Sequence, residues 1–338
     1  MILSEAAGRI AHGLPMLAAA TLLMQPCAAA GRPEWAFFVT TPEAAALPPP
    51  PPANDGRLQH VPGSTQVYSP AQVSDALNPP DWYPEEHPPM PIVVAHGAAP
   101  NAERKIPLLP CALCHLPNGA GHVESASLAR LSAEYIVRQF AEFRSGDRRI
   151  SVGSPNNSQF LGALKSAYSD DQVRAAAEYF AALEPRAWIH VREAREVPRS
   201  AVDPNTLMRI AVAGGAEPLG MRIVELPLSE AALLKRDAHS GFVAYVPLGS
   251  LARGKSLVAA GGGGRIACTV CHGSTLHGLA DIPPLAGRPP TYLVRQLWAY
   301  QSGERRGSFA APMQKAVAGL RVDQMLDMAA YLASLSPD

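Results

Sequence analysis

The chain has 338 residues, 47% hydrophobic and 17% charged, and its 29 basic and 29 acidic side chains give a formal net charge of zero. At roughly 100–200 residues per domain, this length implies two domains with extra elements. A balanced charge without a basic excess or a polyacidic tail excludes an electrostatic nucleic-acid binder. The 34 prolines, roughly twice the average usage, mark part of the chain as extended.

Residues 1–30 read as an export signal: Arg9 and His12 precede an apolar stretch over 14–24, and Ala28-Ala29-Ala30 offers an A-x-A cleavage site. That stretch is too short to span a ~30 Å hydrocarbon core, and no later segment reaches the required ~20 residues, so the sequence predicts no transmembrane span. Gln25-Pro26 is a poor context for a lipoprotein cysteine, so Cys27 is expected to leave with the signal and the mature protein to reside in the periplasm. Residues 31–85 form a Pro-rich segment, with LPPPPP at 47–52, expected to wrap in extended form over the domain that follows.

Four cysteines then remain, and all four belong to C-x-x-C-H motifs: Cys111-Ala-Leu-Cys114-His115 and Cys268-Thr-Val-Cys271-His272. Two thiols one helical turn apart can add across the two vinyl groups of one haem, and the adjacent histidine then lies beneath the iron as an axial ligand. One such motif has rival readings as a redox dithiol, half a zinc site or a disulfide. Two that consume every remaining cysteine point to two covalently bound haem c groups.

The motifs sit in an internal repeat. A shift of 157 residues carries Cys111, Cys114 and His115 onto Cys268, Cys271 and His272, and Gly121 onto Gly278. It also carries YIVRQFAEFRSGDRR (135–149) onto YLVRQLWAYQSGERR (292–306), with eight identities in fifteen positions. Residues 169–183 match 321–335 at a shift of 152, so the first copy holds five extra residues. Apolar residues at helical spacing (Tyr292, Leu293, Leu297, Tyr300; Met325, Met328, Ala329, Leu332) predict mainly α-helical copies over 86–185 and 250–338. Between them, 186–249 holds three runs rich in Val, Ile and aromatics, AWIHVREA, GMRIVELP and GFVAYVP, which predict a small β-structured bridge.

Each copy resembles a class I cytochrome c domain, and the pair resembles the tandem di-haem cytochromes of the cytochrome c4 type. The second copy carries the pattern most fully, as CTVCHG, PPLAGR, YLVRQL and APM, and the resemblance covers roughly half the chain. It implies that Met313, after the third helix, is the sixth ligand of the second iron, on a loop opposite His272. It also implies an electron carrier between a periplasmic dehydrogenase and an oxidase or another cytochrome, with redox proteins as partners. Arg138, Arg295, Tyr135, Tyr292 and Trp298 are candidate propionate donors, although packing within the helix pair is the favoured role for them. Gly121 and Gly278 are expected to permit close passage of the macrocycle.

The first copy departs from the pattern. No methionine occurs between His115 and Met208, and the position of Met313 falls on Leu161 or Asn156. Three alternatives stand for that iron: five-coordination; a ligand from outside the repeat (Met90, Met208, Met221, His60, His87 or His96); or Lys165, Asn156 or Asn157. An open first iron would suit a di-haem enzyme, peroxidase-like or sulfur-compound oxidising. A haem subunit docked permanently to a dehydrogenase is the third class.

Overall fold

The computed structural model describes residues 31–37, 57–103, 105–149, 167–203, 206–261 and 266–338. The export signal with Cys27, the proline run, and Asn156, Asn157, Leu161 and Lys165 lie outside these residues. In chain order the helices are α1 (Pro70–Val73), α2 (Ile92–Ala95), α3 (Ala112–His115), α4 (Ala133–Ser145) and α5 (Asp170–Ala181). There follow β1 (Ile189–Ala194), β2 (Glu196–Val202), β3 (Arg209–Pro218), β4 (Val224–Pro227), α6 (Glu230–Leu234) and β5 (Phe242–Pro247). The chain ends with α7 (Ser250–Ala260), α8 (Thr269–His272), α9 (Pro290–Ser302), α10 (Ala310–Val317) and α11 (Val322–Ala333). No helix among the described residues is long and apolar enough to cross a membrane.

The second copy builds its core on α7, α9 and α11. Val258, Leu293, Val294, Met325, Leu326 and Met328 are buried together there, on the helical spacing read from the sequence. The first copy is thinner. Its counterpart of α7 is the single turn α2, because Gly97 and Pro100 follow within five residues and disfavour its continuation. Its core is Val93, Val94, Ala112, Ala176, Tyr179 and Phe180, between α2, α3 and α5.

The segment between the copies folds as two small sheets. β5 lies between β1, which it pairs in parallel, and β4, which it pairs antiparallel, while β2 and β3 form a separate hairpin with an irregularity at Pro198/Ser200. Their Val, Ile, Tyr and Phe content suits a pleated, half-buried surface. Trp188 and Phe242 pack edge to face, with ring centroids 5.7 Å apart, in a core shared with Ala120 and Val123 of the first copy and Ala333 of the second. The sheet therefore fastens to both copies.

The N-terminal segment does not simply wrap the first copy. Ala36 and Phe37 are buried in the core of the second copy, where apolar surface is available to them, whereas Val61, Val73, Trp82 and Tyr83 cluster with Leu116 and Ala238. Trp82 Nε1 donates to the Lys235 carbonyl at 2.7 Å and Tyr83 Oη donates to Asp237 at 3.0 Å.

Helices α7 and α11 cross at Gly254, where a Cβ would run into the Asp327 carbonyl and come within 2.8 Å of Tyr331 Cβ. Alanine is the better helix former by ~1 kcal/mol, but overpacking costs ~1–3 kcal/mol and the opposing atoms include backbone. Gly254→Ala is therefore expected to lower stability by about 1–2 kcal/mol, as measured by denaturant unfolding of the purified protein.

Candidate haem sites and the contact between the copies

Both C-x-x-C-H motifs adopt one conformation. Each forms a single helical turn, closed by His115 N to Cys111 O at 3.0 Å and His272 N to Cys268 O at 2.9 Å. The loop that follows repeats bond for bond: Gly121 N donates to His115 O and Gly278 N to His272 O, both at 2.9 Å. Positive φ recurs at equivalent places although the residue types are exchanged. Leu116 (58°) and Gly119 (70°) in the first copy correspond to Gly273 (83°) and Leu276 (66°) in the second. The tertiary bonds thus hold a leucine in a conformation that glycine adopts without strain.

The loops fix the histidines. His115 Nδ1 lies 2.8 Å from the Ala126 carbonyl and His272 Nδ1 lies 2.8 Å from the Pro283 carbonyl. A carbonyl only accepts, so Nδ1 carries the proton and Nε2 is the nitrogen with a free lone pair for a metal. Burial pushes both imidazoles below their ordinary pKa, which keeps them in the neutral form a ligand needs. Burial also pushes the thiols up, Cys111 to about 12 and Cys114 and Cys268 to about 11. A redox dithiol requires the opposite shift.

Gly121 and Gly278 are required by the loop itself. A Cβ at Gly121 would lie 2.8 Å from the Ala126 carbonyl oxygen, and one at Gly278 would lie 2.6 Å from that of Ile282. Both are backbone atoms of the loop that sets the histidine.

Cys111, Cys114 and His115 line a cavity of about 610 Å³ whose walls include Val93, Leu128, Ile136, Phe140 and Phe180, with Arg148 and Arg236 among the lining residues. Apolar walls and a few guanidinium groups suit a flat, apolar ring carrying two carboxylates. Of the sixth-ligand candidates, Met208 lines this cavity and is 4% exposed. Met221 is 57% exposed, His87 is paired with Asp81 at 3.2 Å, and His96 is bonded to Asn78 at 3.0 Å. Met313 lies not on a loop but on α10, whose Ala-rich sequence favours helix and whose Pro312 falls in the first turn, where a missing N–H costs little. It packs against the core of the second copy. Two cavity residues were not singled out by the sequence: the buried His122 and the partly buried Glu124, with Nδ1 and Oε1 3.3 Å apart. Their repeat equivalents, Leu279 and Asp281, carry no such pair, so comparing the copies position by position was the available signal.

The copies meet through equivalent residues. Arg148 Nη1 donates to Gln139 Oε1 at 2.9 Å and Arg305 Nη1 to Gln296 Oε1 at 3.0 Å; each guanidinium also reaches across, Arg148 to Gln296 at 3.1 Å and Arg305 to Gln139. Arg148 donates to the Tyr292 hydroxyl at 3.3 Å and Arg305 to the Tyr135 hydroxyl at 2.8 Å. The main chain follows suit, with Arg149 N to Glu304 O at 3.0 Å and Arg306 N to Asp147 O at 2.8 Å. Each contact recurs with the partners exchanged, as in a two-fold interface. Neither guanidinium has a carboxylate partner among the described residues, and Arg305 Nε is buried without an acceptor. A donor set of that kind fits haem propionates.

The earlier propionate candidates divide. Tyr135 and Tyr292 belong to this contact. Arg138 faces Asp281 at 3.7 Å, Arg295 is fully buried and held by main-chain carbonyls, and Trp298 packs in the core of the second copy.

The outer edges of the two C-x-x-C turns also differ. Leu113 is 8% exposed, whereas its counterpart Val270 is 69% exposed. Arg236 Nη1 caps the Leu113 carbonyl at 2.7 Å, so the bridge covers this edge in the first copy alone.

Residues 251–336 match the family model described as Cytochrome c. The chain is 43% identical over 68 residues to "Cytochrome c-554(548)" of Halomonas halodenitrificans, covering 20% of this chain and 82% of that protein. It is 42% identical over 80 residues to the "Thiosulfate dehydrogenase electron acceptor" of Stutzerimonas stutzeri, covering 23% of this chain and 34% of that protein. It is 39% identical over 69 residues to "Cytochrome c-552" of Acidithiobacillus ferridurans, covering 20% and 29%. Among solved structures, thiosulfate dehydrogenase TsdBA of Marichromatium purpuratum aligns with a TM-score of 0.43 at 25% identity, covering 70% of this chain and 38% of that chain. Cytochrome c4 of Pseudomonas stutzeri aligns with a TM-score of 0.42 at 17% identity, covering 67% and 93%.

The reciprocal contact makes a measurable claim. Arg148→Leu and Arg305→Leu should each cost about 2 kcal/mol, because each strands buried Gln and Tyr acceptors. Their shared acceptors make the double variant differ from the sum by at least ~0.5 kcal/mol, which a double-mutant cycle by urea unfolding reads directly.

Proposed function

From a chain that belongs to the cytochrome c family, and so is expected to bind haem c covalently, we propose an exported di-haem electron carrier. In this reading residues 1–30 are removed on export to the periplasm, and two haem domains over 86–185 and 250–338 are joined by the bridge over 186–249. Cys111 and Cys114 hold the first haem by thioether bonds and Cys268 and Cys271 the second. His115 and His272 are the proximal ligands, and Met313 is the sixth ligand of the second iron. When bound, each haem supplies a one-electron ferric/ferrous couple, and a thioether ligand favours the ferrous state.

The observation that carries the reading is the reciprocal contact of Tyr135, Gln139 and Arg148 with Tyr292, Gln296 and Arg305. It sets equivalent faces of the two copies against each other. Two carriers so arranged can take an electron at one end and release it at the other, while the protein tunes potentials and supplies no acid, base or nucleophile. Partners are a periplasmic dehydrogenase as donor and an oxidase or cytochrome as acceptor. One relative is named for accepting electrons from a thiosulfate dehydrogenase, which makes that donor class the first to test.

A second reading rests on the His122–Glu124 pair that lines the first cavity. Were the first iron open, this pair would supply titratable groups for peroxidase-like or sulfur-compound chemistry.

Haem quantified per chain and visible spectra of the reduced protein with carbon monoxide separate the two. The carrier reading expects two haems and no shift with carbon monoxide, and Met313→Ala should create a carbon-monoxide-binding second haem of lowered potential. A wild-type shift in half of the haem would replace the carrier reading with the enzymatic one.

A further inference from the structure

Glu225 on β4 is 1% exposed. Thr291 Oγ1, on α9, donates to its Oε2, while Oε1 is buried with no partner among the described residues. Beside it stands the guanidinium of Arg295, whose Nη1 donates to Thr291 Oγ1 at 3.3 Å and to the Ala36 carbonyl at 2.9 Å. Its Nη2 donates to the carbonyls of Val123 at 2.9 Å and Glu124 at 3.2 Å. Those two residues lie on the loop between His115 and Ala126, and Ala126 is the residue whose carbonyl accepts from His115 Nδ1. A hydrogen-bonded chain thus runs from a buried carboxyl to the loop that seats the first proximal histidine.

We propose that Glu225 is a redox-linked proton site, taking up one proton from solvent as the first haem gains one electron from its donor and releasing it on reoxidation. This rests on the haem assignment above. The balance is one electron from a one-electron reductant, one proton from water, a ferric iron becoming ferrous and a carboxylate becoming a carboxylic acid.

The physical reason is charge in a dry interior. Each electron added raises the cost of a nearby buried anion, and a proton removes that cost. Burial already pushes the Glu225 carboxyl up to about 7, against the Thr291 bond and the Arg295 charge, which lower it. From each neighbouring element the facing groups are few. β5 places uncharged Ala244 opposite, and the N-terminal turn offers the Ala36 carbonyl. α9 contributes Thr291, Arg295 and the Tyr292 phenol, and the first loop contributes Glu124, paired with His122. Among the described residues the repeat offers no equivalent, because Arg138, the counterpart of Arg295, is partly exposed beside Asp281.

The sign follows. Reduction raises the Glu225 pKa, so the potential falls with rising pH between the oxidised-state and reduced-state values and is flat outside them. One proton per electron is a tenfold change in the reduction equilibrium per pH unit, about 59 mV for a one-electron couple, which is the upper limit of the slope.

Spectroelectrochemical titration of the purified di-haem protein from pH 5.5 to 8.5 should show one sloping potential in the wild type and none in Glu225→Gln. Gln keeps an acceptor for Thr291 and removes the charge, so folding is retained. Redox-difference infrared spectra should show a carboxylic acid C=O band that grows on reduction and is absent in the variant. A slope that survives Glu225→Gln, or a flat wild type without the band, overturns the proposal and leaves the carrier reading standing. Fewer than two haems per chain overturns that reading instead.

Discussion

Two guanidinium groups buried against one another set the plan of this molecule. Arg148 and Arg305 would repel in a dry contact, and the structure holds them with neutral acceptors, Gln139, Gln296, Tyr135 and Tyr292, shared across the contact. Rings close the arrangement from outside: Phe143 lies under Arg148 and Tyr300 under Arg305, each 4.5 Å from guanidinium carbon to ring centroid. A buried cation without an anion is costly, so the contact selects for a negatively charged group near it, and haem carboxylates are of the right chemistry. The repeat, the contact and the cofactor chemistry therefore constrain one another.

Duplication gives two like halves, and the segments outside the repeat make them unlike. The first copy has a single turn, followed by Gly97 and Pro100, where the second has a full helix, and other parts of the chain pack on it. The bridge caps Leu113, and Trp82 and Tyr83 close over Leu116. Arg288 of the second copy donates to the carbonyls of Ser127 and Ala129 in the first. The second copy has its own full helix at Gly254 and leaves Val270 open. The first site is thus built from three parts of the chain.

Arg295 shows how such a divergence acquires a new role. Its counterpart Arg138 is a partly exposed residue near an aspartate, while Arg295 has become a buried hub that gathers the N-terminal turn, the first loop and Glu225. Nothing within the repeat requires this. The bridge and the N-terminal segment supply the groups that make the same arginine a structural tie.

The sequence by itself determined the two C-x-x-C-H motifs and their repeat. Thioether formation and axial ligation demand fixed residue types at fixed spacing, so Cys111, Cys114 and His115 with Cys268, Cys271 and His272 stand out in the chain as candidates, as do the strand-forming runs between 186 and 249. Apolar spacing also placed α9 and α11. Tertiary structure alone decided which of many arginines meet across the contact and which methionine lines the first cavity. The arginine contacts join pairs separated by well over a hundred residues, as with Arg148 and Gln296 or Arg295 and Val123. Composition and periodicity carry no information on such pairs, because they register a residue's local fit and not the atom that comes to lie opposite it.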